Sequence, residues 1–156
     1  MPLKILMVCL GNICRSPMAH GILLHKISKL KSDWEIDSAG TSGYHQGELP
    51  DRRAIACMKR HGIDITYQRS RPITVGDLSY YDRIFVMDRS NLHDVCEMAG
   101  TEAELEKISL IMGAVDEQHP EDVPDPWYST GEQGFETIYE MLDRATDKLI
   151  EKYVPE

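Results

Sequence analysis

The sequence predicts an α/β fold with a central parallel sheet of about four strands and helices on both faces. Two observations carry this. Short, almost wholly apolar runs recur along the chain, as expected of strands buried on both sides of a parallel sheet. Between them lie longer segments whose apolar residues repeat at helical spacing.

The first run, Lys4 to Cys9, reads as a central strand. Leu10 to Ser16 is a polar, glycine-containing turn, and Pro17 stands at a favoured first helical position. From Met18 to about Leu30 the apolar residues Ile22, Leu23, Ile27 and Leu30 mark a helix. Trp34 to Ser38 reads as a second strand and Ala39 to Gly43 as the loop leaving it. Asp51 to His61 reads as a helix with Ala54, Ile55 and Met58 facing inward and Gly62 just past its end. Asp82 to Met87 reads as a third strand, Ser90 to Cys96 as a helix opening, and Ile108 to Met112 as the last strand. Phe135, Ile138, Met141, Leu142, Ala145, Leu149 and Ile150 trace a long amphipathic helix. No repeat or low-complexity linker divides the chain, so residues 1–156 are expected to form one domain.

The 156 residues are 42% hydrophobic and 28% charged, an ordinary globular composition. The longest apolar run falls short of the ~18 residues of a membrane span, and the opening run is too short for a secretory signal. A cytoplasmic location is expected, where the four cysteines stay free thiols. The net charge of −9 argues against nucleic acid or a membrane surface as partner. An anionic ligand would therefore need local positive charge from backbone dipoles and a few arginines.

In open α/β sheets ligands bind beyond the carboxyl ends of strands, which directs attention to the loop after the first strand. Cys9 and Arg15 stand at the two ends of this turn, with five residues between them, at the start of a helix. A loop of that size can curl so that its N–H groups converge on an anion, and the helix N-terminus adds partial positive charge. Arg15 offers a planar fork for two phosphate oxygens. The loop is thus expected to bind phosphate through Arg15 and the backbone amides of Leu10, Gly11, Asn12, Ile13, Cys14 and Ser16. A free thiol has a pKa of about 8.5, which falls to roughly 3.5–7.5 in such surroundings, so Cys9 is expected to be a thiolate nucleophile. The Ser16 hydroxyl is placed to hydrogen-bond it. The loop lacks the Gly-Lys-Ser/Thr ending of nucleotide-binding loops. No second Cys/His pair stands at zinc spacing and the six histidines show no metal-ligand pattern, so neither metal nor cofactor is expected.

Five segments together resemble the low-molecular-weight protein tyrosine phosphatase family, over nearly the whole chain. They are C-L-G-N-I-C-R-S-P at Cys9 to Pro17, D-S-A-G-T-S-G-Y at Asp37 to Tyr44, C-M-K-R-H-G-I at Cys57 to Ile63, M-D-R-S-N-L at Met87 to Leu92, and D-P-W-Y at Asp125 to Tyr128. The resemblance implies that Cys9 attacks phosphorus while Asp125 protonates the leaving phenolate, then serves as base for the water that releases inorganic phosphate. The implied substrate is a phosphotyrosine-containing protein or a small aryl phosphate. Trp127 and Tyr128, adjacent aromatics in a polar stretch, are expected to wall an aryl slot with Tyr44. Asn12 and Ser38 resemble the family's loop-supporting hydrogen-bond network, and Asp88 resembles a structural acid. The resemblance also implies that Cys14 can pair reversibly with Cys9. Tyr67 stands where many members carry a histidine, which leaves open how Asn12 is held. Two other readings remain at this level: an arsenate reductase on the same fold, for which Cys57 and Cys96 would have to relay a disulfide, and a non-catalytic phosphotyrosine-binding module.

Overall fold

A computed structural model describes residues 2–128 and 132–154, without the side chain of Tyr128. Four parallel strands form one sheet in the order β2-β1-β3-β4. They are β1 (Lys4–Cys9), β2 (Glu35–Gly40), β3 (Arg83–Val86) and β4 (Ile108–Leu110). Every residue of β1 from Ile5 to Cys9 is buried, because the strand has neighbours on both edges and helices on both faces.

One face is covered by α1 (Arg15–Lys29), α2 (Arg52–Arg60) and α6 (Gln133–Tyr153), around a core that includes Ile5, Met7, Met18, Ile22, Phe135 and Leu142. The other face packs Leu6, Val8, Ile84 and Val86 against Leu78 of α3 (Val75–Tyr80) and Val95 of α4 (Arg89–Met98). A short α5 (Glu102–Glu106) precedes β4. The alternation along β1 divides its side chains between these two cores, as strand geometry requires.

Several sequence expectations shift here. The first helix starts at Arg15, so Pro17 is its third residue, where a missing N–H is equally harmless. β2 runs on through Ala39 and Gly40, because both pair with β1. Within α2 the third fully buried position is Cys57, while Ile55 is only partly buried. β4 ends at Leu110, and Ile111–Ala114 turn into a 3₁₀ helix. The helices α3 and α5 have too few residues to show periodicity. Their signal is the cap instead: Thr74 and Asp77 form a reciprocal capping box, and Thr101 caps Glu104.

Gly40 fixes how closely β2 approaches the loop after β1. A Cβ at this position would lie 2.7 Å from the Leu10 carbonyl oxygen and 3.1 Å from the Asn12 nitrogen, so only glycine lets the loop sit there.

Candidate active site

The loop between β1 and α1 is held from outside by its carbonyls. Those of Cys9, Leu10 and Ile13 accept bonds from the amides of Thr41, Ser42 and Asp51 at 2.8–2.9 Å. Gly11 accepts from the Ser70 hydroxyl at 2.9 Å, and Cys14 from the Met18 amide inside α1 at 3.1 Å. With these carbonyls turned to the scaffold, the N–H edge of the loop turns to the opposite side. Cys14 caps α1 without a side-chain bond, and no acidic residue stands in the first turn, so the positive end of the helix dipole is left unneutralised from within the helix.

Asn12 sits at φ 56°, the left-handed region that asparagine tolerates better than most residues. This conformation directs its amide away from the pocket, where one backbone group settles its orientation. The Arg71 amide donates to Asn12 Oδ1 at 3.0 Å, so Asn12 Nδ2 must be the donor to Ser16 Oγ at 2.8 Å and to Ser38 Oγ at 3.0 Å. Ser16 Oγ therefore keeps its own proton to donate, and its acceptors are Cys9 Sγ at 3.0 Å and the Ala39 carbonyl at 3.4 Å. The Arg71 side chain is anchored in turn by Asp37 at 3.2 Å and Asp77 at 2.9 Å.

The position left open beside Asn12 is filled by Gln68 and His20. Gln68 Nε2 donates to the Pro17 carbonyl at 3.0 Å, which turns Oε1 toward the Ser38 hydroxyl at 3.3 Å. Tyr67 is half exposed and packs its ring edge-on against His20. His20 is buried with Nδ1 3.4 Å from Ser38 Oγ. Burial pushes its pKa down to about 4, against the opposing pull of Asp37 and the Gln68 hydrogen bond.

The sign of the resulting pH dependence follows directly. Above about pH 6.5 the imidazole is neutral whether the chain is folded or not. Below that, the unfolded chain takes up a proton that the folded chain refuses until about pH 4. Stability is thus lost as pH falls through this window, by about 3 kcal/mol from this residue. Urea unfolding at pH 7.5 and 4.5 should show a smaller loss for His20→Gln than for wild type. Equal losses in the two proteins would remove His20 from this role.

Arg15 is buried beneath the loop. Its Nη1 donates to Asp88 Oδ2 at 2.7 Å and to the Val123 carbonyl at 2.9 Å. Burial works against its charge, but Cys9 and the bonded Asp88, with Asp125 beyond, hold its pKa above the ordinary value. Because both bonds use Nη1, the Nε–Nη2 edge remains for an anion. Asp88 uses its other oxygen, Oδ1, to cap α4 through the Asn91 amide at 2.8 Å, so one carboxylate fixes both helix and arginine.

Asp125 stands across the pocket. Its Oδ2 lies 3.7 Å from Arg15 Nη2, and its Oδ1 accepts from the Trp127 amide at 3.0 Å. The segment is tied down by the Val123 amide, which donates to the Met87 carbonyl, and by Arg53 Nη2, which donates to the Trp127 carbonyl.

The pocket encloses about 430 Å³, with Cys9, Leu10, Gly11, Ile13, Cys14 and Arg15 inside it and Tyr44, Asp125 and Trp127 at its walls. Cys9 is 2% exposed, whereas Tyr44 is 85% and Trp127 43% exposed, so the thiol lies at the bottom and the aromatics at the mouth. Asn12, Ser16 and Ser38 are buried and support the loop from behind. The expected wall residue Tyr128 has its side chain outside the described residues. Cys14 is held protonated by burial first and by Asp51, Cys9 and Asp125 next, which separates it from the nucleophile role.

His45 is a wall residue that sequence reasoning missed. Its ring lies 4.9 Å from Tyr44 and 5.4 Å from Trp127 between centroids, and its Nδ1 is 2.9 Å from Glu48. Adjacency to Tyr44 was the only signal, since neither periodicity nor spacing marks a loop histidine.

A family model for low molecular weight phosphotyrosine protein phosphatase matches residues 4–155. A low molecular weight phosphotyrosine protein phosphatase from Gallus gallus is 39% identical over 96% of this chain and 94% of its own length. The crystal structure of a protein tyrosine phosphatase from Entamoeba histolytica, with Hepes in its active site, superposes with a TM-score of 0.89 at 36% identity and 96% coverage of both chains. An arginine phosphatase from drosophila superposes with a TM-score of 0.91 at 34% identity and 99% coverage of both.

Proposed function

The chain belongs to the low molecular weight phosphotyrosine protein phosphatase family, and from that premise we propose that it hydrolyses phosphotyrosine through a phosphocysteine on Cys9. Arg15 holds the phosphate, and Asp125 serves first as acid and then as base. The observation that supports this most is the convergence of these three side chains on one pocket with aromatic walls.

In the first step Cys9 Sγ bonds to phosphorus as the bond to the phenolic oxygen breaks, and Asp125 gives that oxygen a proton. The Ser16 hydroxyl, 3.0 Å from sulfur, donates to the thiolate before attack and again when it leaves. The loop amides and Arg15 hold the three equatorial oxygens throughout, which is where phosphoryl transfer needs charge. In the second step water attacks phosphorus, its proton passes to Asp125, and the S–P bond breaks to release inorganic phosphate.

The substrate is a phosphotyrosine side chain on a protein, or a small aryl phosphate, with its ring between Tyr44, His45 and Trp127. The proposed substrates are cytoplasmic; no helix among the described residues is long and apolar enough to cross a membrane. For arsenate reduction a relay cysteine would have to reach the pocket. Cys57 lies in α2 and Cys96 in α4, and neither lines it.

A panel of phosphopeptides tests the substrate reading. Phosphotyrosine should have the highest kcat/KM, with phosphoserine lower by about two orders of magnitude, because an alkoxide leaves less readily and has no ring to fill the slot. Preferential turnover of phosphoarginine would instead align the chain with its drosophila neighbour.

A further inference from the structure

Away from the pocket, the end of α2 and the start of α6 bring together a thiol, an imidazole and a carboxylate. Cys57 and His61 stand four residues apart, on one face of the helix and its cap, and Glu136 comes from the first turn of α6. Cys57 Sγ lies 3.5 Å from Glu136 Oε1, and His61 Nε2 lies 2.8 Å from Glu136 Oε2. Ligand atoms of all three residues fall within 4.8 Å of one another. The imidazole is pinned by face-to-face stacking on Tyr139, with centroids 3.6 Å apart and planes 6° from parallel.

We propose that Cys57, His61 and Glu136 form a binding site for a zinc-class divalent cation that bridges α2 and α6. A tetrahedral zinc with bonds of ~2.3 Å to sulfur and ~2.0 Å to oxygen separates those two ligands by about 3.5 Å. The Cys57–Glu136 spacing already has that value. One sulfur, one nitrogen and one oxygen donor suit zinc or cobalt and not magnesium or calcium, which take oxygen ligands. Cys57 is wholly buried, but the side chains of His61 and Glu136 are partly exposed, so the ion enters from their side.

Binding replaces protons and one ion pair. The Cys57 thiol, which burial and Glu136 hold protonated, releases its proton to solvent. His61 binds through Nε2, and water takes the fourth position. Arg60 now contacts Glu136 Oε1 through Nε at 3.0 Å and Nη2 at 2.9 Å. Glu132, 3.8 Å from Arg60 Nη1, gives the displaced guanidinium a second carboxylate. The third ligand comes from a distant helix, which is why sequence spacing did not reveal the cluster.

Cobalt and zinc titrations of the Cys9→Ser protein, which lacks the nucleophilic thiol, test the site. Cobalt should give a thiolate-to-metal charge-transfer band at one ion per chain, and zinc should abolish the band and raise Tm. Adding Cys57→Ala should remove the band. Adding His61→Gln, at a partly exposed side chain that leaves the core intact, should weaken binding by about tenfold or more, since even partners outside the ligand set cost that much. No band in the Cys9→Ser protein, or a band undiminished by either added substitution, would overturn the proposal.

Discussion

Replacing Cys9 by serine is expected to lower kcat/KM for phosphotyrosine by roughly ten-thousandfold or more, the scale seen when a covalent nucleophile is removed. The cause is confined to one atom. Serine keeps the shape of the pocket bottom and the contact with Ser16 Oγ, now 3.0 Å from sulfur. It cannot supply a thiolate, and a hydroxyl is a far weaker nucleophile at neutral pH unless a base activates it. The cradle itself survives, because it is built from carbonyls paired with Thr41, Ser42, Asp51 and Ser70 and from an arginine fixed by Asp88. Phosphate and vanadate should therefore still bind, as isothermal titration would show. A serine variant that kept wild-type turnover would place the chemistry on another residue. One that lost oxyanion binding as well would show that the sulfur holds the loop together.

Asp125→Asn should separate substrates by leaving group. Asparagine retains an oxygen for the Trp127 amide, so the turn at 125–127 is preserved while the proton is lost. For phosphotyrosine and other poor leaving groups, kcat/KM should fall by about a hundred- to ten-thousandfold. For nitrophenyl phosphate, whose phenolate departs unaided, it should fall far less. Plotted against the pKa of the leaving phenol, the variant's kcat/KM values should slope more steeply than those of wild type. The limiting kcat should drop for all substrates alike where breakdown of the phosphocysteine limits, since the same carboxylate activates water. Equal losses in kcat/KM across the series would take Asp125 out of the acid role and leave it as a partner of Arg15.

The sheet was legible because buried parallel strands are short and almost purely apolar. Lys4 to Cys9 and Arg83 to Val86 announce themselves. The α6 helix was legible because its apolar stripe persists over many turns. The strand extension to Gly40 was not, because Ala39 and Gly40 carry no β preference and pair only because β1 lies beside them. Helices α3 and α5 were missed for want of length. At the site, Cys9 and Arg15 stood out because their chemistry and local spacing coincide, whereas Asp125, one of 26 acidic residues, was singled out by the family resemblance. The supports Gln68 and His20 did not stand out, because their role exists only in three dimensions. Gln68 meets Ser38 across 30 positions of sequence, and His20 looks in the sequence like any polar residue of a helix. Tyr67 shows the reverse case, a residue whose position in the chain suggested a role that Gln68 performs.

The covalent step can be observed directly. Wild-type and Asp125→Asn protein, mixed with excess nitrophenyl phosphate and quenched in acid within the first turnovers, should carry one phosphoryl group on the peptide containing Cys9. The labelled fraction should be higher in the variant, whose second step is slowed. An unlabelled Cys9 peptide while turnover continues, or a phosphoryl group on any other residue, would contradict a phosphocysteine mechanism.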